Sequence, residues 1–148
     1  MPKINLYLDL AKTISNYATC TKLRVGCVLV RDSRILSLGY NGAPRREPHC
    51  KDVGCDLVVV DGRESCKRSI HAEANALLNA AYMGASTKDA TLFCTHTPCY
   101  ECAKLLLNAG ITTIVASSIY DDHRTEKLWV PLVDSFDYTL VPRQEALR

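Results

Sequence analysis

Two short segments put metal ligands and an acid at spacings that could serve one reaction centre: His71-Ala72-Glu73 and Pro98-Cys99-Tyr100-Glu101-Cys102. Cys99 and Cys102 are three apart, so at the start of a helix both sulfurs can face one point. Pro98 suits the first helical position because its missing N–H would be unpaired there. The positive end of that helix favours thiolate over thiol, the form that binds zinc. His71, near the start of its own helix, can meet the same ion. Three protein ligands leave a fourth zinc position for water, whose pKa falls from about 16 to near 7 on the metal. Glu73 is too far around the helix from His71 to be a co-ligand yet close enough to reach that water, so it reads as a proton shuttle. A Cys-x-x-Cys alone is equally explained by a redox pair or by half of a structural zinc site. The joint pattern is not, because structural zinc has no use for Glu73 and a redox pair has none for His71. Glu101, between the cysteines, reads as a solvated first-turn acid favoured by the helix dipole.

These residues need elements to hold them. Ile4, Tyr7, Leu8, Ala11, Ile14 and Ala18 recur at helical spacing, with Cys20 just beyond. Val25 to Val30 and Ile35 to Tyr40 flank the polar turn Arg31-Asp32-Ser33-Arg34, the pattern of an antiparallel hairpin. Gly39-Tyr40-Asn41-Gly42-Ala43-Pro44 breaks regular structure. Arg45 to Lys67 reads as irregular apart from the apolar run Leu57 to Val60, with an Asp61-Gly62 turn and three cysteines; such a long loop carries function or is held by something. A helical pattern resumes at Ile70, runs through Ala80 and stops at Gly84. Strand and helix then alternate: Ala90 to Cys94 as strand, Pro98 to Ala109 as helix closed by Gly110, Ile111 to Ala116 as strand, Glu126 to Val133 as a short helix, Tyr138 to Val141 as strand. This alternation favours parallel pairing. The expected fold is a three-layer α/β/α sandwich, its mixed sheet of about five strands carrying an antiparallel hairpin at one edge.

Composition narrows the setting. The chain has 148 residues, 47% hydrophobic and 23% charged, values of an ordinary globular protein, and its length suggests a single domain spanning residues 1–148. No apolar run approaches the roughly 18 residues that cross a bilayer, so no membrane partner is expected. Met1-Pro2-Lys3-Ile4 does not open a secretory signal; the expectation is a reducing cytoplasm, where eight cysteines serve metals or catalysis before disulfides. A net charge of +2 is too small for a surface that coats long nucleic acid.

Together, His71-x-Glu73 and Pro98-Cys99-x-x-Cys102 resemble the H-x-E and P-C-x-x-C signature of zinc deaminases of the cytidine deaminase superfamily. Four stretches are similar to the deoxycytidylate (dCMP) deaminase group within it. Gly39 to Pro44 resembles G-Y-N-G-x-P, His71 to Ala76 resembles H-A-E-x-N-A, and Pro98 to Lys104 with Ala109-Gly110-Ile111 resembles P-C-x-x-C-A-K and A-G-I. His49-Cys50, Cys55 and Cys66 resemble the insert of phage and bacterial members. Free-nucleoside deaminases usually begin their motif with Cys, and tRNA adenosine deaminases lack the Gly39–Pro44 type of loop. The resemblance spans about residues 5 to 120. It implies hydrolytic deamination of dCMP to dUMP, supplying dUMP for thymidylate synthesis, with water attacking C4 of cytosine and Glu73 carrying protons to N3 and to the departing ammonia. Other cytosine nucleotides remain rivals: 5-substituted dCMP, dCTP or single-stranded DNA. From another class, so does a zinc-stabilised binding module without catalysis.

The resemblance further implies that Asn41 reaches the deoxyribose or phosphate, with the backbone amides of Gly39 to Gly42 nearby; the residues alone favour a plain turn. Tyr120 follows a parallel strand and resembles the aromatic bordering the cytosine pocket in polynucleotide cytosine deaminases; half-buried packing explains it equally. Arg24, Arg45, Arg46 and Arg124 are arginines that could take the 5′-phosphate, Arg24 being preferred. Cys20, Cys50, Cys55 and Cys66, with His49 as alternate, form a candidate second zinc site, closed and structural; reduced buried thiols, or a redox pair of Cys50 and Cys55, are the alternatives. Cys27 and Cys94 read as buried small hydrophobes, His96 as packing or support, and His123 as an exposed loop residue. Implied partners are a homo-oligomer, a hexamer by resemblance, and dCTP or dTTP effectors with magnesium. The implied location is the cytoplasm, or the host cytoplasm for a phage protein.

Overall fold

The computed structural model of the chain describes residues 3–60, 62–120 and 135–142. The first amphipathic face forms α1, Ile4–Ser15, which buries Tyr7, Leu8 and Ala11. It stops short of the expected Ala18, which is buried in the loop that carries Cys20. β1, Gly26–Arg31, and β2, Arg34–Tyr40, pair antiparallel as expected. Asp32 and Ser33 join them at φ of 51° and 60°, the left-handed pair of a two-residue turn whose twist matches that of the strands.

The stretch from Arg45 to Lys67, expected to be irregular, holds a helical turn, α2, Cys50–Val53, and a second antiparallel hairpin of β3, Leu57–Val60, and β4, Arg63–Cys66. The signal for it was in the sequence: an Asp-Gly pair after an apolar run is a hairpin turn, and Gly62 takes φ of 75°. Arg63-Glu64-Ser65-Cys66 hid the second strand, because it lacks apolar alternation.

Next come α3, Ala72–Tyr82, β5, Thr91–His96, α4, Tyr100–Asn108, β6, Thr113–Ser118, and β7, Asp137–Leu140. Gly84 and Gly110 stand two residues past their helices at φ of 71° and 84°, the left-handed stop that glycine accepts. Pro98 is not the first helical residue: Cys99 is the N-cap of α4, at ψ of 166°. Cys99 is itself extended, so the chain turns into the helix only after it. The expected helix Glu126 to Val133 lies outside the described residues.

The sheet order is β2-β1-β5-β6-β7. β5, β6 and β7 run parallel, and the first hairpin adds antiparallel strands at one edge. Side chains alternate across it. Val28, Val30, Phe93 and Val115 meet Tyr7, Leu8 and Ala11 of α1. Cys27, Leu29, Leu92, Cys94 and Ile114 meet Ala72 and Ala76 of α3 and Leu106 of α4. The result is the three-layer α/β/α sandwich with a mixed five-stranded sheet. Burying Phe93, tilted against Tyr7 at 4.8 Å between ring centroids, contributes about 2–3 kcal/mol.

α1 and α3 each meet the hairpin at a glycine. A Cβ on Gly26 would lie 2.1 Å from the Ala11 carbonyl, and one on Gly39 would lie 2.3 Å from that of Ala72. The alanine face of α3 (Ala72, Ala76, Ala80) completes the close approach. Asn75 and Asn79 then donate side-chain amides to the Tyr40 and Leu38 carbonyls of β2 at 2.9 and 2.8 Å. The Asn41 N–H bonds the Val25 carbonyl across the hairpin, so by antiparallel alternation Leu38 and Tyr40 point away from β1. The two amides therefore occupy carbonyls on the open edge.

Candidate active site

A cavity of about 390 Å³ opens where β5 and β6 end, the place where parallel sheets expose loops to ligands. His96 and Thr97 come from the end of β5, and Ile119 and Tyr120 from just beyond β6. Two bonds tie these strand ends together: Thr97 N–H to the Ser118 carbonyl at 2.8 Å, and Tyr120 N–H to Thr97 Oγ1 at 2.8 Å. α3 and α4 both begin at this cavity, bringing their caps together.

His71 is the N-cap of α3 and Cys99 that of α4, with Cys102 three residues on. His71 Nδ1 lies 3.5 Å from Cys99 Sγ and 3.4 Å from Cys102 Sγ. Around tetrahedral zinc, with bonds near 2.3 Å to sulfur and 2.05 Å to nitrogen, those atoms would stand about 3.6 Å apart, so this donor set fits the ion. Cys99 is held down at about 4 by hydrogen bonding from Cys102 and then His71. Cys102 is pushed up by sharing that bond and by burial. A cation is what lets both exist as thiolates.

Glu73, in the first turn of α3, is 4% exposed and lines the same cavity. Burial pushes its carboxyl up to about 7, against the opposing pull of a charged His71. Glu101 faces outward and pairs with Lys104 at 2.8 Å, in keeping with a solvated acid. His96 lines the cavity, bonds Thr95 Oγ1 through Nδ1 at 2.9 Å, and is held low by burial. Behind the site, Cys27 and Cys94 are direct cross-strand partners, with sulfurs 3.2 Å apart and no exposure.

Gly39, Asn41 and Gly42 are turned inward, to the fold. Asn41 Oδ1 accepts from Val25 N–H at 2.8 Å and its Nδ2 donates to the Leu23 carbonyl at 2.6 Å. Its amide borders the cavity while clamping the strand entry. The expected backbone amides are likewise engaged: Gly42 N–H bonds Ile70, and the Ile70 N–H returns to Gly42, at 3.2 and 2.8 Å. With Gly39 against Ala72 and Asn75 on Tyr40, this loop acts first to seat α3, and so His71 and Glu73.

Cys20 from the loop after α1, Cys50 from α2, Cys55 from the loop before β3 and Cys66 from the end of β4 converge, their sulfurs all within 4.8 Å of one another. Cys20–Cys55 is 3.8 Å and Cys50–Cys66 is 3.5 Å, against about 3.8 Å across a zinc tetrahedron. Burial pushes Cys50 up to about 12, whereas hydrogen bonding from Thr21 draws Cys55 down to about 6. His49, the alternate, stays outside this group: it occupies the N-cap position of α2, and its Nδ1 lies 2.9 Å from Thr19 Oγ1. Tyr120 does border the cavity, whereas Arg24 is exposed and absent from its lining. Arg45 lies over Tyr82 instead, 4.3 Å from the ring centroid. Arg124 and His123 lie outside the described residues. Arg63 and Lys22 line the cavity and were missed, since isolated basic residues in an irregular stretch give no periodic signal.

Residues 1–118 match the family model described as the cytidine and deoxycytidylate deaminase zinc-binding region. ComE operon protein 2 of Bacillus subtilis is 41% identical over 106 residues, 72% of this chain and 54% of that protein. Deoxycytidylate deaminase of Saccharomyces cerevisiae is 37% identical over 117 residues, 77% of this chain and 37% of that one. The chain thus spans about half, or less, of the length of these curated relatives. Among solved structures, the dCMP deaminase of cyanophage S-TIM5 in complex with dCMP and dUMP superposes with a TM-score of 0.77 at 27% identity, covering 95% of this chain and 98% of that one.

Proposed function

This chain belongs to the cytidine and deoxycytidylate deaminase family, and from that premise we propose that it deaminates dCMP to dUMP, with zinc held by His71, Cys99 and Cys102. The observation that carries the reading is a buried carboxylic acid, Glu73, in the cavity that His71 and Cys99 also line. Zinc bound there would supply Lewis acidity that makes water nucleophilic near neutral pH. Glu73 takes one proton of the attacking water and delivers it to N3 of the ring, then takes the remaining proton from the hydroxyl now on C4 and delivers it to the amino group, so that the C4–N bond breaks and ammonia leaves. Tyr120 borders the ring, and Asn41 holds the wall beside it. The cyanophage protein, named for the same reaction and solved with dCMP and dUMP, supports this substrate.

The four-thiol group is assigned a second, closed zinc whose work is structural, since four protein ligands leave no position for water. We extend the reading to supply of dUMP for thymidylate synthesis in a reducing cytoplasm, a setting that suits cysteines used as metal ligands rather than in disulfides. Among the described residues no helix is long and apolar enough to cross a membrane. Assembly into a homo-oligomer is carried by the resemblance, and exposed Leu78, Tyr82 and Met83 on and just past α3 offer an apolar surface for it.

Ammonia release from dCMP, deoxycytidine, dCTP and a short cytosine oligonucleotide tests the substrate. Glu73→Gln should keep its metal and lose on the order of 10²–10⁴-fold in kcat. Turnover near the wild-type rate with metal retained would overturn the shuttle. Metal analysis should give two zinc ions per chain, falling to one in Cys66→Ser; one per chain, unchanged by that substitution, would remove the second site.

A further inference from the structure

The cavity wall formed by the β3–β4 hairpin carries an unanswered cation. The Arg63 guanidinium lies over the Tyr120 ring, 4.4 Å from its centroid. Its Nη1 is buried and has no hydrogen-bond partner; among the described residues no other buried side-chain nitrogen or oxygen is left so. Arginine does not relieve such a position by losing its proton, and a buried charge-bearing donor without a partner is costly. Nor is the adjacent acid available: Glu64 is engaged by Lys22, its Oε1 3.3 Å from the ammonium. The guanidinium therefore has an aromatic platform on one face and a donor in the wall without a hydrogen-bond partner, and among the described residues no ion pair is formed to it.

We propose that Arg63 is the residue that reads the 5′-phosphate of the substrate, an inference resting on the nucleotide deaminase reading above. A planar fork of donors matches phosphate oxygens, and stacking on Tyr120 fixes its plane before the ligand arrives. A cavity of about 390 Å³ falls within the range of small-molecule sites, roughly 300–1,000 Å³. The arrangement joins base and phosphate recognition, because the aromatic side chain that borders the ring also carries the arginine. It also gives the four-thiol group a task. Cys55 precedes β3, and Cys66 ends β4 three residues from Arg63, so a metal there clamps the base of the hairpin that presents the guanidinium.

The test compares kcat/KM for dCMP and for deoxycytidine in wild type, Arg63→Gln and Arg63→Lys, with metal content and thermal unfolding measured on each. Wild type should prefer dCMP by on the order of a hundredfold. Arg63→Gln should lose most of that preference through a higher KM for dCMP while deoxycytidine changes within about twofold, and Arg63→Lys should fall between, since a point charge replaces the fork. Inorganic phosphate should compete with dCMP in wild type and cease to do so in Arg63→Gln. Equal losses on both substrates, or an undiminished dCMP preference in a fully metallated variant, would overturn the assignment. If Arg63→Gln does not fold, Arg63→Lys decides by the same preference. Failure of the underlying reading looks different, as wild type would then deaminate neither compound. In that case calorimetry with inorganic phosphate still judges Arg63: binding lost in the variant sustains the anion site, and equal binding removes it.

Discussion

At the scale of single residues, the cluster was legible because its spacing is written in the sequence: His71, Cys99 and Cys102 lie together as a group able to hold a metal, and Glu73 lines the same cavity. Burial gives Glu73 a thermodynamic signature that can be read without substrate. Burial holds its carboxyl near 7 in the fold against an ordinary value of 4.5. Between those values the folded chain holds a proton that the unfolded chain has released, so this group's contribution is greatest below about pH 4.5, is lost as pH rises through 7, and is flat beyond. In metal-stripped protein, Glu73→Gln should thus gain on wild type as pH rises from about 5 to 8, by up to roughly 3 kcal/mol, measured by urea unfolding at each pH. Asn41 was less legible, because a side chain answering two backbone groups leaves no pattern in the sequence. Asn41→Ala abandons Val25 N–H and the Leu23 carbonyl in a buried place, and should cost about 2–3 kcal/mol in urea unfolding.

At the scale of elements, helices and sheet strands emerged where apolar residues repeat, with ends misplaced by up to three residues because caps depend on local geometry. β4 was missed for a different reason: polar Arg63 to Cys66 is held by its partner strand and by the thiols at its base rather than by an apolar face. Glycines separate two kinds of element contact. Gly39→Ala must push α3 off β2, since the new Cβ would meet the Ala72 carbonyl and the Ala76 nitrogen. It should therefore lower metal content at the His71 site together with stability. Gly84→Ala meets nothing within 4 Å and should cost only about 1–2 kcal/mol for its left-handed backbone, with metal content unchanged. Zinc analysis and thermal unfolding on the two variants check the contrast.

At the scale of the whole molecule, the three-layer order could be inferred because only helices on both faces bury a sheet whose parallel strands are apolar on both sides. What the sequence could not convey is how the open flank at β2 is managed. A bare outer strand offers its carbonyls to any passing chain, and here Asn75 and Asn79 have already claimed two of them. Asn79 would then act as a guard of colloidal behaviour, as would Asn75 within its motif, whatever either does for the geometry of the site. Removing both amides, as Asn75→Ala with Asn79→Ala, should leave a chain that still folds but whose light scattering climbs with concentration beyond that of wild type. Such a variant would precipitate on storage by edge-to-edge strand addition, and a single lysine placed outward on β2 at Leu38 should restore its solubility.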